Sequence, residues 1–229
     1  MDTTSFDRSS ASAPTATRER ARWLTLGAIA GPVLFTLAWM VLGPLRPGYS
    51  SVSQQMSTLA VGPNGGFMRA AFLLYGLLVA VGVVAIFQGL RNELGAVGRW
   101  TCTVLLLLSP LGVLWAGVFT IDHLAMHTIG VVVGLGTPVI TFPIVGLLLR
   151  RVPGWRRLGT LMLLGGPMTL ALLIGFSNSV PQSVMRAGGG GGSLGLWQRA
   201  MGIEVQAWFV ALAWLAYRHA TVRSALSAS

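Results

Sequence analysis

The sequence predicts an all-α fold: a polytopic membrane protein built as a bundle of six transmembrane helices. Three observations lead there. Only 10% of the 229 residues are charged and 53% are apolar, whereas a soluble domain carries roughly 25% charged residues. Six apolar runs are long enough, at about 20 residues each, to cross a bilayer core as helices. The arginines gather at alternate ends of those runs, a pattern that follows membrane orientation and has no basis in a soluble core.

Residues 1–22, opening MDTTSFDRSSASAP, are polar and offer little to bury, so they read as a disordered tail. This stretch is too long, and the run after it too poor in cleavage signals, for a secretory leader. The first span is expected at about 23–42. Its Gly27 and Gly31 are spaced for close helix approach, and Pro32 removes one backbone donor. The connection 43–67 is broken by Pro44, Pro47 and Pro63, with 53–59 suited to a short interfacial helix. A second span at about 68–90 ends in the polar turn RNELGAVGR, and a third at about 100–119 has Pro110 near its middle. The fourth, about 126–149, carries Gly130, Gly134 and Gly136 and then Pro138 and Pro143. A bent helix is expected there, with its freed carbonyls satisfied by neighbouring groups. After the basic turn RRVPGWRR comes a fifth span at about 158–176, interrupted by Gly165-Gly166-Pro167. The segment AGGGGGS reads as a flexible loop, since it lacks the lysine and spacing of a phosphate loop. A sixth span at about 196–217 leads to a tail at 218–229, so 23–217 forms one transmembrane domain.

Six spans place both termini on one side. That side collects Arg18, Arg20, Arg22, Arg91, Arg99, the four arginines of 150–157, Arg218 and Arg223, while the other holds Arg46, Arg69, Arg186 and Arg199. The asymmetry predicts that both termini lie in the cytoplasm. The net charge of +10 comes from sixteen arginines and no lysine. Placed at span ends, these arginines suit anionic lipid headgroups and argue against a nucleic-acid partner. Cys102 is the single cysteine and reads as a buried small hydrophobe. The small-residue helix faces also permit self-association into a homo-oligomer.

The candidate chemistry lies in few residues. Asp122 is the only acid between Glu93 and Glu204, and it stands beside His123 and His127 where the third and fourth spans meet. Two readings are open for Asp122. It is a helix N-cap, or it is an acid paired with His127 as base or relay. His123 and His127, four apart, would share a helical face. Glu204 lies inside the sixth span, where an ionisable group is expensive and turns toward the bundle interior. It is either tied to an arginine such as Arg199 or Arg69, or it lines a pocket with Asp122, His127 and Arg199, to which Gln198 and Gln206 add hydrogen bonds. No metal site is expected, since Leu124 occupies the place of the glutamate in a zinc-protease helix. No cofactor is implied. Tryptophans near the span ends, Trp197 among them, suit interface anchoring or an aromatic ligand wall.

Several stretches in order carry a resemblance. They are YSSVSQQMSTLAVGPNGGFMRAAFLLYG in the first long connection, GVFTID at the end of the third span with His127 after it, and GLWQRAMG opening the last. Over about residues 23–217 the chain resembles the DUF998 family of bacterial six-span membrane proteins. That resemblance implies site positions at Ser57, Asp122, His127, Gln198 and Arg199, with Thr58 standing where the family often has glutamate. Taken together, a lipid- or hydrophobic-small-molecule-binding protein is expected, with an outward-facing polar pocket. In it Asp122, His127 and Glu204 would carry any acid–base chemistry, such as cyclisation or isomerisation. Arg199, Gln198, Ser57 and Trp197 would contact the ligand. Whether the pocket is catalytic stays open. A proton-coupled transporter and a non-catalytic assembly partner are the alternatives.

Overall fold

The structure, a computed structural model, describes residues 13–179 and 192–226. Most of the glycine-rich connection, and the first twelve residues of the expected tail, lie outside the described residues. Six helical spans are long and apolar enough to cross a membrane: Glu19–Leu45, Gly65–Gly89, Ala96–Val118, Ile121–Leu149, Arg156–Asn178 and Leu194–Thr221. The protein is an all-α six-helix membrane bundle.

The first span joins α1 (Ala13–Thr25) to α2 (Gly27–Leu45) with only a local break at Leu26. Helix therefore begins well upstream of Trp23, inside the segment read as tail. α3 (Gly65–Gly89) and α4 (Ala96–Val118) follow, and the fourth span is split into α5 (Leu124–Val131), a π-helical turn Val132–Gly136 and α6 (Pro138–Leu149). α7 (Arg156–Asn178) and α8 (Leu194–Leu226) complete the chain. Neighbours in sequence are mostly neighbours in space, and α8 closes the ring by packing on α7, α2, α1 and α3. α3 is the most buried of the spans.

Close approach depends on the small residues. A Cβ added to Gly82 would lie 2.7 Å from the Cβ of Ala28, and one on Gly31 would lie 3.2 Å from Tyr75 O. The first span therefore uses its thin face against α3. The bend in the fourth span has an identifiable cause. Pro138 has no N–H to give the carbonyl four residues back, which is that of Gly134. The buried Ser109 hydroxyl of α4 donates to Gly134 O at 2.7 Å and supplies the missing donor. A π turn next to this repair widens the helix where it lines the interior, the setting in which such turns often serve function.

At one end of the bundle lie the arginine-rich turns. At the other, residues 46–64 fold inward. Met56–Ala60 forms a 3₁₀ turn with Met56, Ser57, Leu59 and Ala60 buried, so the segment expected at the interface is instead tucked beneath the surface. Its left-handed turns at Gly62 and Asn64 return the chain to α3.

Candidate functional site

The inward fold of 46–64 makes a roof, and two arginines hold it. Arg46 Nη1 donates to Val61 O at 2.9 Å and also to Thr58 O. Arg199, buried near the start of α8, donates through Nη1 to the carbonyls of Ser51 (2.7 Å), Gln54 (3.0 Å) and Gly195 (2.9 Å), and through Nη2 to the Tyr49 hydroxyl. Its guanidinium also lies 5.2 Å from the Trp39 ring centre and 5.7 Å from that of Tyr49. Burial pushes the Tyr49 hydroxyl above its ordinary pKa despite the neighbouring Arg199 cation, so it stays a neutral acceptor for that bond. The Leu196 amide donates to Val52 O at 3.1 Å, and Met56 N donates to Gln198 Oε1 at 2.7 Å. The roof is thus fastened to α8 at several points along its length.

Beneath it lies a small cavity of about 40 Å³, part of it open. Its walls are mainly apolar, with Phe35 and Phe72 from α2 and α3 among them. Five polar side chains interrupt that surface: Ser57 from the roof, Tyr75 from α3, His127 from α5, and Gln198 and Gln206 from α8. The α8 contribution follows from helical period. Gln198, Gly202, Val205 and Gln206 stand at i, i+4, i+7 and i+8, which is one stripe of a helix.

His127 is the pivotal group. Its Nδ1 sits 2.8 Å from Phe119 O and 3.1 Å from Ala116 O. Two carbonyls can be faced only by a protonated nitrogen, so Nδ1–H is the donor. In the neutral ring, Nε2 is then a bare acceptor. That atom is buried and has no partner among the described residues. Gln198 spends its Oε1 on Met56 N and Gln206 its Oε1 on the Thr36 hydroxyl at 3.0 Å. Both amide NH₂ groups are left without a partner among the described residues. The Ser57 hydroxyl reaches Gln55 Oε1 at 3.2 Å.

The remaining expected site residues go elsewhere. Asp122 is exposed in the 3₁₀ turn Ile121–His123 and accepts from the Thr120 hydroxyl at 3.2 Å; it does not cap α5. His123 precedes α5, so helical spacing does not bring it to His127; it is exposed, edge-on to Phe119. Glu204 is buried on the α7 side of α8. Its Oε2 accepts from Thr169 at 2.8 Å and its Oε1 from Trp208 Nε1 at 2.6 Å. Neither arginine named for it is its partner. Two residues from Gln206, Glu204 is turned roughly 200° away around the helix, which removes it from the cavity stripe. Trp197 is 36% exposed and lies where a Cβ on Gly175 of α7 would meet its ring, again outside the cavity. The structure therefore gathers Ser57, His127 and Gln198 in one cavity and leaves Asp122, Glu204, Arg199 and Trp197 in other settings. Among the described residues no cluster of three metal-ligating side chains occurs.

Residues 29–215 match the family described as protein of unknown function, DUF998. The chain belongs to the DUF998 family. No curated protein and no solved structure matches it. The match spans every element of this DUF998 bundle that lines the cavity, from Phe35 in α2 to Gln206 in α8. Tyr75 is the cavity residue that sequence reasoning passed over. An aromatic among Phe72 and Val79 reads as packing, and only its place on the cavity wall marks it. Gln206 carried a usable signal, the eight-residue spacing from Gln198.

Proposed function

We propose that this DUF998 protein binds a lipid or hydrophobic small molecule in the cavity under the 46–64 roof, with the roof on the outer face of the membrane. The supporting observation is the unpartnered Nε2 of His127 within a largely apolar cavity. A buried acceptor left unsatisfied costs about 1–3 kcal/mol, and a ligand that donates to it recovers that cost. The remaining polar groups on the wall then fix the ligand's orientation, as in preformed apolar sites generally. Any acid–base step in this site would centre on His127, which alone of the three expected catalytic residues touches the cavity.

Native mass spectrometry of the protein extracted from membranes tests the binding. The wild type is expected to carry a small molecule that His127→Phe retains poorly, because phenylalanine fills the space without the acceptor. A wild type that emerges empty, with no thermal shift from any added lipid, would sink the reading.

Proton-coupled transport has one observation in its favour. Glu204 lies inside a span, bonded to Thr169 and Trp208 rather than to a cation. Intramembrane carboxyls of this kind often mark proton relays. On that reading, Glu204→Gln in liposomes abolishes pH-driven uptake of the bound molecule, while unchanged uptake rejects it.

A further inference from the structure

Resting on the cavity reading above, the wall chemistry specifies what kind of molecule fits. Among the described residues, no arginine, lysine, aspartate or glutamate lines the cavity. Arg199, the basic residue expected in the pocket, instead holds three carbonyls and a phenol in the roof. An anionic headgroup placed in the cavity would be buried without a counter-charge, which is heavily unfavourable. The described wall therefore favours a ligand that is uncharged where it sits.

Hydrogen-bond polarity narrows it further. His127 Nε2 requires a donor, because Nδ1 carries the ring's proton toward Phe119 O. Gln198 requires an acceptor for its amide NH₂. That assignment is firm, since only its oxygen can receive the Met56 backbone N–H at 2.7 Å. Tyr75 also lines the cavity, and its hydroxyl, which makes no hydrogen bond among the described residues, can serve in either sense. A hydrocarbon satisfies none of these groups. A ketone or simple ester satisfies only the amides, and an ammonium donates to the imidazole alone while bringing a charge. A hydroxyl next to a second oxygen satisfies both kinds.

We propose that the cavity of this protein selects an uncharged, hydroxyl-bearing lipid. Its hydroxyl donates to His127 Nε2, and a second oxygen accepts from the amide of Gln198. The cavity encloses only that polar end, and the apolar chain extends past Phe35 and Phe72 toward its open side.

The test uses the full-length protein in nanodiscs and a matched pair of probes: 1-decanoylglycerol and its phosphate monoester. They share one acyl chain and one ester and differ in charge. Binding is read by tryptophan fluorescence and native mass spectrometry. The neutral probe is expected to bind at least about tenfold more tightly than the phosphate. His127→Asn is expected to weaken the neutral probe by about tenfold, the size of one lost hydrogen bond. Tyr75→Phe, which removes one hydroxyl from the wall and leaves the ring packing intact, gives a second reading if His127→Asn fails to fold; a loss of several-fold is expected.

Equal or tighter binding of the phosphate would overturn the proposed class while leaving the cavity as a ligand site. The class is likewise overturned, and the cavity kept, if neither probe binds but the protein carries a different small molecule from its membrane. If neither probe binds and nothing co-purifies, both the class and the cavity reading fail. Equal affinity of wild type, His127→Asn and Tyr75→Phe for the neutral probe would overturn the assigned contacts.

Discussion

Arg199→Ala is expected to destabilise the protein by about 3–5 kcal/mol, from hydrogen bonds to a charged group worth roughly 1.5–3 kcal/mol apiece with strong overlap between them. The substitution leaves the carbonyls of Ser51, Gln54 and Gly195 without their shared donor and removes the cation stacked on Trp39 and Tyr49. The roof over the cavity should loosen before the bundle does. Thermal unfolding in detergent measures the first effect. Thiol labelling of a cysteine placed at Ser53 in the roof measures the second, because the native Cys102 is buried. Arg199→Lys should recover only part of the stability, since an ammonium cannot stack as a plane or spread its donors around a fork. An Arg199→Ala protein that melts with the wild type and labels no faster would show that the roof is held by other contacts.

Gly112→Ala is expected to be nearly as damaging, at about 1–3 kcal/mol for an overpacked contact. A Cβ at Gly112 would lie 2.7 Å from Gly130 O and 2.7 Å from Gly134 Cα. The obstructing atoms are backbone, so no side-chain rotation relieves them. α4 and the fourth span would have to separate, and the Ser109 bond to Gly134 O and the His127 bond to Phe119 O cross that same interface. Loss of bound ligand should accompany loss of stability. Gly136→Ala is the matched control. A Cβ there meets only Val132 Cγ1, at 3.9 Å, so its melting temperature should stay close to wild type. Similar melting temperatures for the two variants would contradict the close crossing.

Much of the fold is legible in the chain because its determinants are local. Span length and hydropathy are properties of contiguous residues, and a bilayer leaves helix as the only economical state for them. Pro138 announced a bend for the same reason: its missing N–H is a fact about one residue. What repaired that bend was not legible. Ser109 is one hydroxyl among apolar residues of another span, and nothing near it in sequence marks it as the donor to Gly134.

The candidate site divides along the same line. Asp122, His123 and His127 look like one motif because they are adjacent in the chain. The change from 3₁₀ turn to α-helix between His123 and His127 sends the first two to the surface and the third inward. Glu204 looked like a member of the same pocket because intramembrane acids turn to the interior. The interior of a ring of helices has several facing interfaces, and its rotation about α8 assigned it to α7. Counting by helical period along α8 separates it from Gln198 without coordinates, so this part was recoverable from the sequence.

By itself, then, the sequence determined six membrane-spanning helices, their chain order and the points where glycine and proline would permit or force close approach and bending, since each depends on neighbouring residues alone. Only the tertiary structure decided that the 46–64 connection folds inward as a roof, that Arg199 serves that roof, and that His127 Nε2 is left without a partner in an apolar cavity. Those outcomes depend on which atoms from distant segments meet, and hydrogen-bond partners 148 positions apart, as Ser51 and Arg199 are, leave no local trace in the chain.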